Sequence, residues 1–214
     1  MKNIILIGMP GTGKSVVGRA LADRLHYTFV DVDDLIVRAA GQTLAEILRS
    51  RGLDAFLALE GQIGEALTCE NTVIATGGSM VLSEGAMTHL KENGVAVWLE
   101  TPLSQISERM PEDLTDRGIA APTGMDIRQI YRQREPLYAK YADLIVASRP
   151  GEDDTAHQVE EVMRTVGMHL QKTNGTAKRQ SRFLMRWAVP SPLACGQSPW
   201  TRTAAFPWRL RPER

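Results

Sequence analysis

Apolar and polar positions follow two different periods along residues 1–170. Short continuous apolar runs, of which residues 4–7 are the first, are typical of strands buried on both faces of a parallel sheet. Between these runs apolar residues recur four positions apart, as Val17, Leu21 and Leu25 do, which is a spacing of amphipathic helices. The pattern therefore predicts strands that alternate with helices.

The predicted elements are short strands and longer helices in regular alternation. The strands are predicted at 4–7, 27–30, 72–75, 95–99 and 144–147. The helices are predicted at 14–25, 43–51, 53–68, 83–92, 102–110, 126–141 and 155–170. Because strands that alternate with helices are joined by crossovers, this order predicts an α/β fold with a five-stranded parallel sheet flanked by helices. Such sheets bind ligands beyond the carboxyl ends of their strands.

Local signals define several helix ends. Thr43 and Glu46 form a T-x-x-E capping box, which predicts a helix start. Gly94 is expected to act as a stop signal for the helix before it. Pro102 is expected in the first turn of the next helix, where a missing N–H is tolerated.

Composition and charge limit the function classes. The 214 residues suffice for one domain of ordinary size and a tail, and 25 basic and 25 acidic residues give a net charge of zero. We therefore expect no nucleic-acid partner. The apolar run near the start is too short for a bilayer span or a signal peptide, so we expect a cytoplasmic protein without membrane contact. We also expect a monomer. Cys69 and Cys195 have no metal-ligand or disulfide spacing and are predicted to be free thiols.

The zero net charge conceals two oppositely charged parts. Residues 171–214 hold nine of the basic residues and one acid, so they carry +8 and residues 1–170 carry −8. This tail contains Trp187, Trp200, Trp208 and five prolines, without a helical or strand period. It is either a basic arm that contacts nucleic acid or an acidic surface, or a disordered extension. We favour the second because the prolines interrupt every candidate element.

Residues 8–15 read GMPGTGKS and match the phosphate-loop motif G-x-x-x-x-G-K-[ST] in full. They lie between a predicted strand and a predicted helix, which is the context that the motif requires. The glycines let backbone N–H groups converge on an anion, and the positive end of the helix adds to the field. The Lys14 ammonium can reach the β- and γ-phosphates, and the Ser15 hydroxyl can bind Mg²⁺. The motif therefore predicts a nucleotide-phosphate site.

Three acidic residues, Asp31, Asp33 and Asp34, follow the second predicted strand. If the extended pattern continues, Asp31 and Asp33 point to the same side. Facing a phosphate loop, one carboxylate can hold the waters of Mg²⁺, and the other can orient or deprotonate an attacking hydroxyl. Asp34 suits a helix N-cap instead. The pair indicates phosphoryl transfer to a small hydroxylated compound.

Taken together, these segments resemble the shikimate kinase family of phosphate-loop proteins. The family pattern has D-x-D after the second strand, F-R-x-x-E on a helix, G-G-G after the third strand, an R-P-L lid, and R-x-P-L-Y late in the chain. Here the corresponding segments are DVD at 31–33, FLALE at 56–60, GGS at 77–79 and REPLY at 134–138. The resemblance covers about 1–150. It implies ATP-dependent phosphorylation of shikimate at the 3-hydroxyl, Mg²⁺ as cofactor and a lid at about 110–125.

The resemblance also implies roles for individual residues. The acceptor would be bound by Asp33, Gly77, Gly78 and Arg134, with Arg134 on its carboxylate. The nucleotide would be bound by Gly11, Thr12, Gly13, Lys14, Ser15, Val16, Arg117 and Arg149. Mg²⁺ would be held by Ser15 and Asp31. The catalytic residues would be Asp33 as base, with Lys14 and Arg117 neutralising charge on the transferred group. Arg117 and Arg134 could instead be solvated helix charges, and Arg149 could lie in a plain loop.

Three positions depart from the family pattern. Leu57 stands where the family has a second carboxylate-binding arginine, Ser79 replaces the third glycine, and Gly118 follows the lid arginine in place of proline. A hydrogen bond to a buried charged group is worth ~1.5–3 kcal/mol, so losing the arginine would weaken acceptor binding roughly ten- to a hundredfold. Arg49 or Arg51 could compensate from a neighbouring helix turn.

Two other functions remain open from the sequence alone. A kinase for a different hydroxylated metabolite would explain Leu57, because an acceptor without a carboxylate needs no second arginine. A nucleotide-binding regulatory protein that acts through the basic tail is the other alternative. Asp33 and Lys14 argue against it, because a pure binder needs no base that faces an acceptor.

Overall fold

A computed structural model describes residues 2–110, 114–148 and 155–173, with side chains described to residue 170 in the last range. Within these ranges the predicted α/β fold with a five-stranded parallel sheet is confirmed. The predictions for Arg149, for Cys195, for part of the lid and for the tail from residue 174 onward lie outside the described residues.

The sheet brings the predicted site segments to one edge. Its strands are β1 (Asn3–Ile7), β2 (Thr28–Asp31), β3 (Thr72–Ala75), β4 (Gly94–Glu100) and β5 (Leu144–Ala147). Their order across the sheet is β2-β3-β1-β4-β5, and all pairs are parallel. Ala75, the last residue of β3, pairs with Leu6 on one side and with Asp31 on the other. The segments that follow β1, β2 and β3 therefore leave the sheet side by side.

Helices cover both faces of the sheet. They are α1 (Lys14–Leu25), α2 (Val32–Ala40), α3 (Leu44–Ala66), α4 (Glu84–Glu92), α5 (Leu103–Arg109), α6 (Ile127–Tyr141) and α7 (Thr155–Thr173), with a 3₁₀ turn at Met80–Leu82. The predicted capping box at the start of α3 is confirmed: the Thr43 N–H donates to Glu46 Oε2 at 2.8 Å, and the Glu46 N–H donates to Thr43 Oγ1 at 3.2 Å.

Successive residues of β1 face two separate hydrophobic clusters. Ile5 and Ile7 belong to the larger cluster, which α2, α3, α4 and α6 complete. Ile4 and Leu6 belong to the smaller cluster, which α1 and α7 complete. Since a strand points successive side chains to opposite faces, the continuous apolar run of β1 is what a sheet covered on both faces requires.

Helix α2 is an element that the sequence did not predict, and the extended chain expected beyond β2 is wrong. The helix begins at Val32, so Asp33 lies in its first turn. Asp31 is the N-cap rather than Asp34, and its Oδ1 accepts a hydrogen bond from the Asp33 N–H at 3.1 Å. Val32 and Ile36 are both fully buried one turn apart, which is the spacing that stabilises a helix on the core.

The second half of α3 lies unusually close to the segment that follows β3. The two helices predicted at 43–51 and 53–68 form one element, interrupted at Gly52, where φ is +81°. A Cβ on Gly64 would lie 2.7 Å from the Ala86 Cβ. Because glycine has no side chain, the two elements can pack this closely. The residues in the second half of α3 therefore lie beneath the carboxyl end of β3.

Two predicted helix boundaries and the predicted role of Gly94 differ from the structure. The helix before Gly94 ends at the predicted place, but Asn93 is its C-cap and Gly94 begins β4. A Cβ on Gly94 would lie 2.3 Å from Ile5 Cδ1, so packing rather than chain termination requires this glycine. Pro102 is the N-cap of α5, and α7 continues to Thr173.

The predictions of no membrane span and of free cysteines can be compared with the structure within its described ranges. None of the described helices combines the length and the apolarity needed to cross a bilayer. Cys69 is a free, half-buried cysteine.

Candidate active site

The phosphate loop joins β1 to α1 at the carboxyl edge of the sheet. Helix α1 begins after Gly13, which has a φ of +86° and provides no side-chain cap. The first N–H groups of α1 are therefore available to an anion. Thr12 is buried, and its Oγ1 donates a hydrogen bond to the Met9 carbonyl at 2.9 Å, which braces the loop.

Lys14 is held inside the loop. Its Nζ donates to the carbonyl oxygens of Gly8 at 2.9 Å and Met9 at 2.8 Å, and the residue is 8% exposed. Burial lowers the pKa of Lys14 to about 8, and the carboxylates of Asp33 and Asp31 oppose that shift. The ammonium is therefore cationic at neutral pH and lies where phosphate charge would accumulate.

Asp33 faces the same cavity from the first turn of α2. Burial raises the pKa of Asp33 to about 6, Asp31 raises it further, and Lys14 lowers it. The carboxyl is therefore mainly ionised at pH 7 but is more basic than an ordinary aspartate. Both properties suit a group that takes a proton from a hydroxyl.

The turn after β3 packs tightly against both the acid and the phosphate loop. A Cβ on Gly77 would lie 2.1 Å from Glu60 Oε1 and 2.8 Å from Asp33 Oδ1. A Cβ on Gly78 would lie 2.7 Å from Pro10 Cδ in the phosphate loop. Any side chain at these positions would push the carboxyls or the loop away.

Arg134 reaches the cavity from α6 and is 1% exposed. Its guanidinium donates to the Ala120 carbonyl, and its Nε has no hydrogen-bond partner among the described residues. One turn later, the Tyr138 hydroxyl donates to the Gly78 carbonyl at 2.6 Å, and the ring stacks on Trp98 with centroids 5.9 Å apart. The REPLY segment thus fixes a buried cation beside the glycine turn.

The lid arginine contacts the phosphate loop through a residue that the sequence did not single out. The exposed Arg117 lines the cavity, and its Nη1 donates to the Arg109 carbonyl at 2.7 Å. The Arg109 Nη1 in turn donates to the Gly11 carbonyl at 3.2 Å. Arg109 ends α5 and has no motif of its own, so only the fold reveals its position.

The departure at Gly118 has a structural reason. Gly118 is buried with a φ of +73°, and a Cβ there would lie 2.5 Å from the Leu44 Cβ. A proline cannot adopt that φ, because its ring holds φ near −65°. This lid therefore makes a different turn, one that packs directly on the start of α3.

Most of the predicted site residues line one cavity of about 320 Å³. Those that do are Gly11, Gly13, Lys14, Ser15, Val16, Asp33, Gly77, Gly78, Arg117 and Arg134. Thr12 and Asp31 are not among its described lining residues, because Thr12 is buried within the loop and Asp31 caps α2.

The residue at the missing arginine position does not face the cavity. Leu57 is half-buried, packs against the larger core cluster and is not among the described residues that line the cavity. Neither expected substitute takes its place. The exposed Arg49 pairs with Asp116, and the exposed Arg51 donates to Gln42 Oε1 at 2.7 Å.

Glu60 ends the FLALE segment and is a buried carboxyl for which no role was predicted from the sequence. It is 1% exposed and lies against Gly77. Burial raises the pKa of Glu60 to about 7, with a further increase from Asp33. A hydrogen bond from the Ser79 side chain and the cations Arg134 and Lys14 oppose the shift.

The oxygen donors near the loop fit Mg²⁺. The exposed Ser15 lines the cavity at the start of α1, and Asp31 and Asp33 both lie close enough to raise the pKa of Lys14. Within the described ranges no three His, Cys, Asp or Glu side chains gather around one point. Such a sparse set suits an ion that usually keeps water and shares substrate phosphates.

Comparisons with known proteins agree with this geometry. A family model described as shikimate kinase matches residues 10–166. A shikimate kinase from Persephonella marina is 36% identical over 149 residues, which cover 69% of this chain and 90% of that protein. A mouse protein named threonine synthase-like 1 is 34% identical over 166 residues, which cover 76% of this chain but 22% of that protein.

A solved structure matches most of this chain. It is the Acinetobacter baumannii shikimate kinase in complex with shikimate, with a TM-score of 0.68 and 25% identity over 82% of this chain and 95% of that one. The family model, the curated relative and the solved structure agree with the motifs gathered around the cavity. The chain therefore belongs to the shikimate kinase family of small-molecule kinases.

Proposed function

We propose that this protein transfers the γ-phosphoryl group of ATP to the 3-hydroxyl of shikimate. The observation that carries the proposal is one cavity that contains the phosphate loop, the Asp33 carboxyl and the buried Arg134 guanidinium. A phosphate loop alone supports nucleotide binding. A base and a buried cation beside it fit an acceptor that has both a hydroxyl and a carboxylate.

On the nucleotide side, the residues supply positive charge and N–H donors. The triphosphate would lie against the loop, with Lys14 neutralising charge that develops on the transferred group. Arg117 would add a second cation from the lid. Ser15 and Asp31 would hold Mg²⁺, which when bound neutralises the phosphates and aligns them.

On the acceptor side, two groups fix the orientation of the hydroxyl. Arg134 would bind the carboxylate, and the backbone at Gly77 and Gly78 would lie against the ring. Asp33 would take the hydroxyl proton as the hydroxyl oxygen bonds to phosphorus and the bond to ADP breaks. The lid would exclude water, which would otherwise accept the phosphoryl group. Cytoplasmic location and a monomeric state remain predictions from the sequence.

The direct test measures ADP release by a coupled assay with purified protein, Mg·ATP and shikimate. We expect release to depend on shikimate, and Asp33→Asn to lower kcat about 10²- to 10⁴-fold because the general base is lost. Asp34→Asn is the matched control, since Asp34 is the exposed next residue and should retain activity. A rate of ADP release that does not depend on shikimate but depends on another acceptor would refute the substrate assignment.

The second candidate is a kinase for another hydroxylated acceptor on the same scaffold. Leu57 favours this candidate, because the chain has no arginine at that position to bind an acceptor carboxylate. Arg134 is then the buried cation on the acceptor side among the described residues. The match to threonine synthase-like 1 shows that similarity at this level extends to a protein with a different name. Leu57→Arg discriminates between the two candidates. A sharp fall in KM for shikimate indicates a pocket otherwise built for it, whereas an unchanged KM together with turnover of another hydroxylated acceptor indicates a different substrate.

A further inference from the structure

The phosphate loop and the turn after β3 are in direct contact inside the site. A Cβ on Gly78 would lie 2.7 Å from Pro10 Cδ. At the start of the turn, Thr76 donates from its N–H and from its Oγ1 to the Leu6 carbonyl of β1, at 3.1 and 3.0 Å. The distance between the nucleotide side and the acceptor side of the cavity therefore depends on how these two segments are held together.

The Tyr138 hydroxyl lies across this contact. It donates to the Gly78 carbonyl at 2.6 Å, and the same oxygen lies 3.7 Å from Met9 Sδ in the phosphate loop. Tyr138 is 1% exposed. Because a thioether sulfur is only a weak acceptor, the single hydroxyl hydrogen is donated to the carbonyl, and the sulfur packs against the oxygen. One side-chain atom thus touches both segments.

The sheet fixes the position of the Tyr138 ring. The ring stacks on Trp98 of β4, with centroids 5.9 Å apart and 28° between the planes. Trp98 pairs with Ile7 at the end of β1, and a Cβ on Gly8 would lie 3.5 Å from Trp98 Cδ1. The indole is therefore anchored beside the first residue of the phosphate loop, and it holds the ring that carries the hydroxyl.

The neighbours of Tyr138 lead to the groups that are expected to bind the substrates. The Met9 carbonyl accepts a hydrogen bond from Lys14 Nζ at 2.8 Å. Met9 therefore contacts Tyr138 with its side chain and holds the phosphate-binding cation with its backbone. Arg134 lies one turn before Tyr138 on α6, and side chains four residues apart on a helix are neighbours. Tyr138 thus links the loop cation to the helix that carries the acceptor-binding cation.

The hydroxyl of Tyr138 adds nothing to apolar packing. A phenylalanine ring would fill the same space and stack on Trp98, whereas a buried hydroxyl destabilises the fold unless it is hydrogen-bonded. Tyr138 is not among the described residues that line the cavity. The hydroxyl therefore contributes its bond to Gly78 and its contact with Met9, and both act on the segments that form the cavity.

We propose that Tyr138 is a positioning residue for phosphoryl transfer: its hydroxyl, bonded to Gly78 and packed on Met9, sets the distance between the acceptor hydroxyl and the transferred phosphate. The proposal rests on the proposed function, because it requires an acceptor bound at the glycine turn. Tyr138 acts through Gly78 and Met9 and does not touch the reacting atoms. Because small displacements of bound reactants slow a reaction more than they weaken binding, such a residue is recognised by loss of the chemical step with retained affinity.

The test compares the single-turnover rate constant of phosphoryl transfer with the steady-state KM values for Mg·ATP and shikimate. Tyr138→Phe removes the hydroxyl and retains the ring. We expect the rate constant to fall about 10- to 100-fold and both KM values to change less than about threefold, because the reactants stay bound but are displaced. Incorporation of p-aminophenylalanine at position 138, whose N–H can donate to the Gly78 carbonyl, should restore most of the rate.

Tyr141→Phe is the matched control. Tyr141 is a second tyrosine of α6, 8% exposed, and its hydroxyl accepts a hydrogen bond from the exposed Lys140 at 3.4 Å. Its replacement should leave the rate constant and both KM values unchanged. Equal losses in the two variants would assign the effect to the packing of α6 and would overturn the role of the Tyr138 hydroxyl.

Met9→Ala tests the same contact from the loop side, and it serves alone if Tyr138→Phe does not fold. It should lower the rate constant of phosphoryl transfer more than it raises the KM for shikimate. The double variant should lose less than the product of the two single losses, because both changes release one contact. Losses that multiply in full would overturn the contact as the route by which Tyr138 acts.

Failure of the proposed function and failure of this role are measured on different proteins. A native protein without shikimate-dependent ADP release would refute the proposed function and the role together. Native turnover with an unchanged rate constant in Tyr138→Phe, or with a loss confined to the KM values, would overturn the role and leave the proposed function intact.

Discussion

At the scale of single residues, two side chains that line the cavity have pKa values displaced toward each other. Burial lowers the pKa of Lys14 to about 8 and raises that of Asp33 to about 6. Asp33 can accept a proton only when ionised, above about pH 6. Lys14 is cationic below about pH 8. The base and the phosphate-binding cation are therefore both in their working states between these limits.

We expect a bell-shaped pH profile of kcat/KM for ATP, with limbs near pH 6 and pH 8. The acid limb reports protonation of Asp33, and the alkaline limb reports loss of the Lys14 charge, since kcat/KM reflects the free enzyme. Initial rates at ATP and acceptor concentrations below their KM values, where the free enzyme predominates, give this profile across pH 5–9. A flat profile over that interval would show that neither group titrates as burial implies.

Lys14→Ala separates the role of this residue in catalysis from its effect on folding. We expect kcat to fall at least about 10²- to 10³-fold, which is the loss typical of one electrostatic donor. The free energy of unfolding at pH 7 should not fall. The lowered pKa means that stability is lost as pH falls from 10.5 to about 8 and that the full penalty is present at pH 7, so a neutral residue removes that penalty.

Kinetics and urea denaturation of Lys14→Ala and Arg24→Ala provide this comparison. Arg24 is an exposed cation at the other end of α1, and it should retain full activity when replaced. Equal losses of activity in the two variants would assign the effect to α1 as a whole and not to the loop cation.

At the scale of elements, the site depends on how closely the glycine turn approaches α2 and α3. Gly77→Ala places a Cβ where two carboxyl oxygens already lie. We expect KM for the acceptor to rise at least tenfold, and the free energy of unfolding to fall by about 1–3 kcal/mol, as for overpacked cores.

The control for this variant is a glycine with room for a methyl group. Gly167 lies in α7 with nothing within 4 Å of its Cβ position, so Gly167→Ala should be neutral or slightly stabilising. Acceptor titrations and thermal unfolding of both variants supply the comparison. A Gly77→Ala enzyme with normal KM would mean that the turn does not position the acceptor site.

The elements that the sequence predicted well are those with contiguous signals. Helix α1 follows the phosphate loop at the predicted boundaries, and the Thr43–Glu46 capping box lies at the predicted start of α3. Helix α2 was not predicted because three acids in a row after a strand fit both an extended segment and a helix N-terminus. Asp31 is the cap because a helix that begins at Val32 buries Val32 and Ile36 in the core. This burial depends on tertiary packing, which local sequence propensity does not reveal.

At the scale of the whole molecule, the strand order assembles a cavity from segments far apart in sequence. The phosphate loop could be predicted in full because one continuous motif contains it. The position of Glu60 against Gly77 and the contact of Arg109 with Gly11 could not be predicted, because tertiary packing creates them. The chemical importance of position 57 could be predicted from the family pattern, but its orientation toward the core could not.

Deleting residues 174–214 tests whether the basic tail contributes to activity. We expect kcat and both KM values to change less than twofold, because the described residues of the cavity all precede α7. The cut preserves the contacts of α7 with the smaller core cluster through Val159, Val162 and Val166. Lost activity in a folded truncated protein would support a functional arm and contradict the expectation of a dispensable extension.

Identification of the product is the decisive test of phosphoryl transfer to shikimate. Purified protein is incubated with Mg·ATP and shikimate, and ³¹P and ¹³C NMR locate the transferred phosphate. This function predicts a single phosphate ester at the 3-hydroxyl, formed in equal amount to ADP and formed at least about a hundredfold more slowly with Asp33→Asn. Inorganic phosphate as the only product, or a phosphate on a different acceptor with shikimate unchanged, would contradict it.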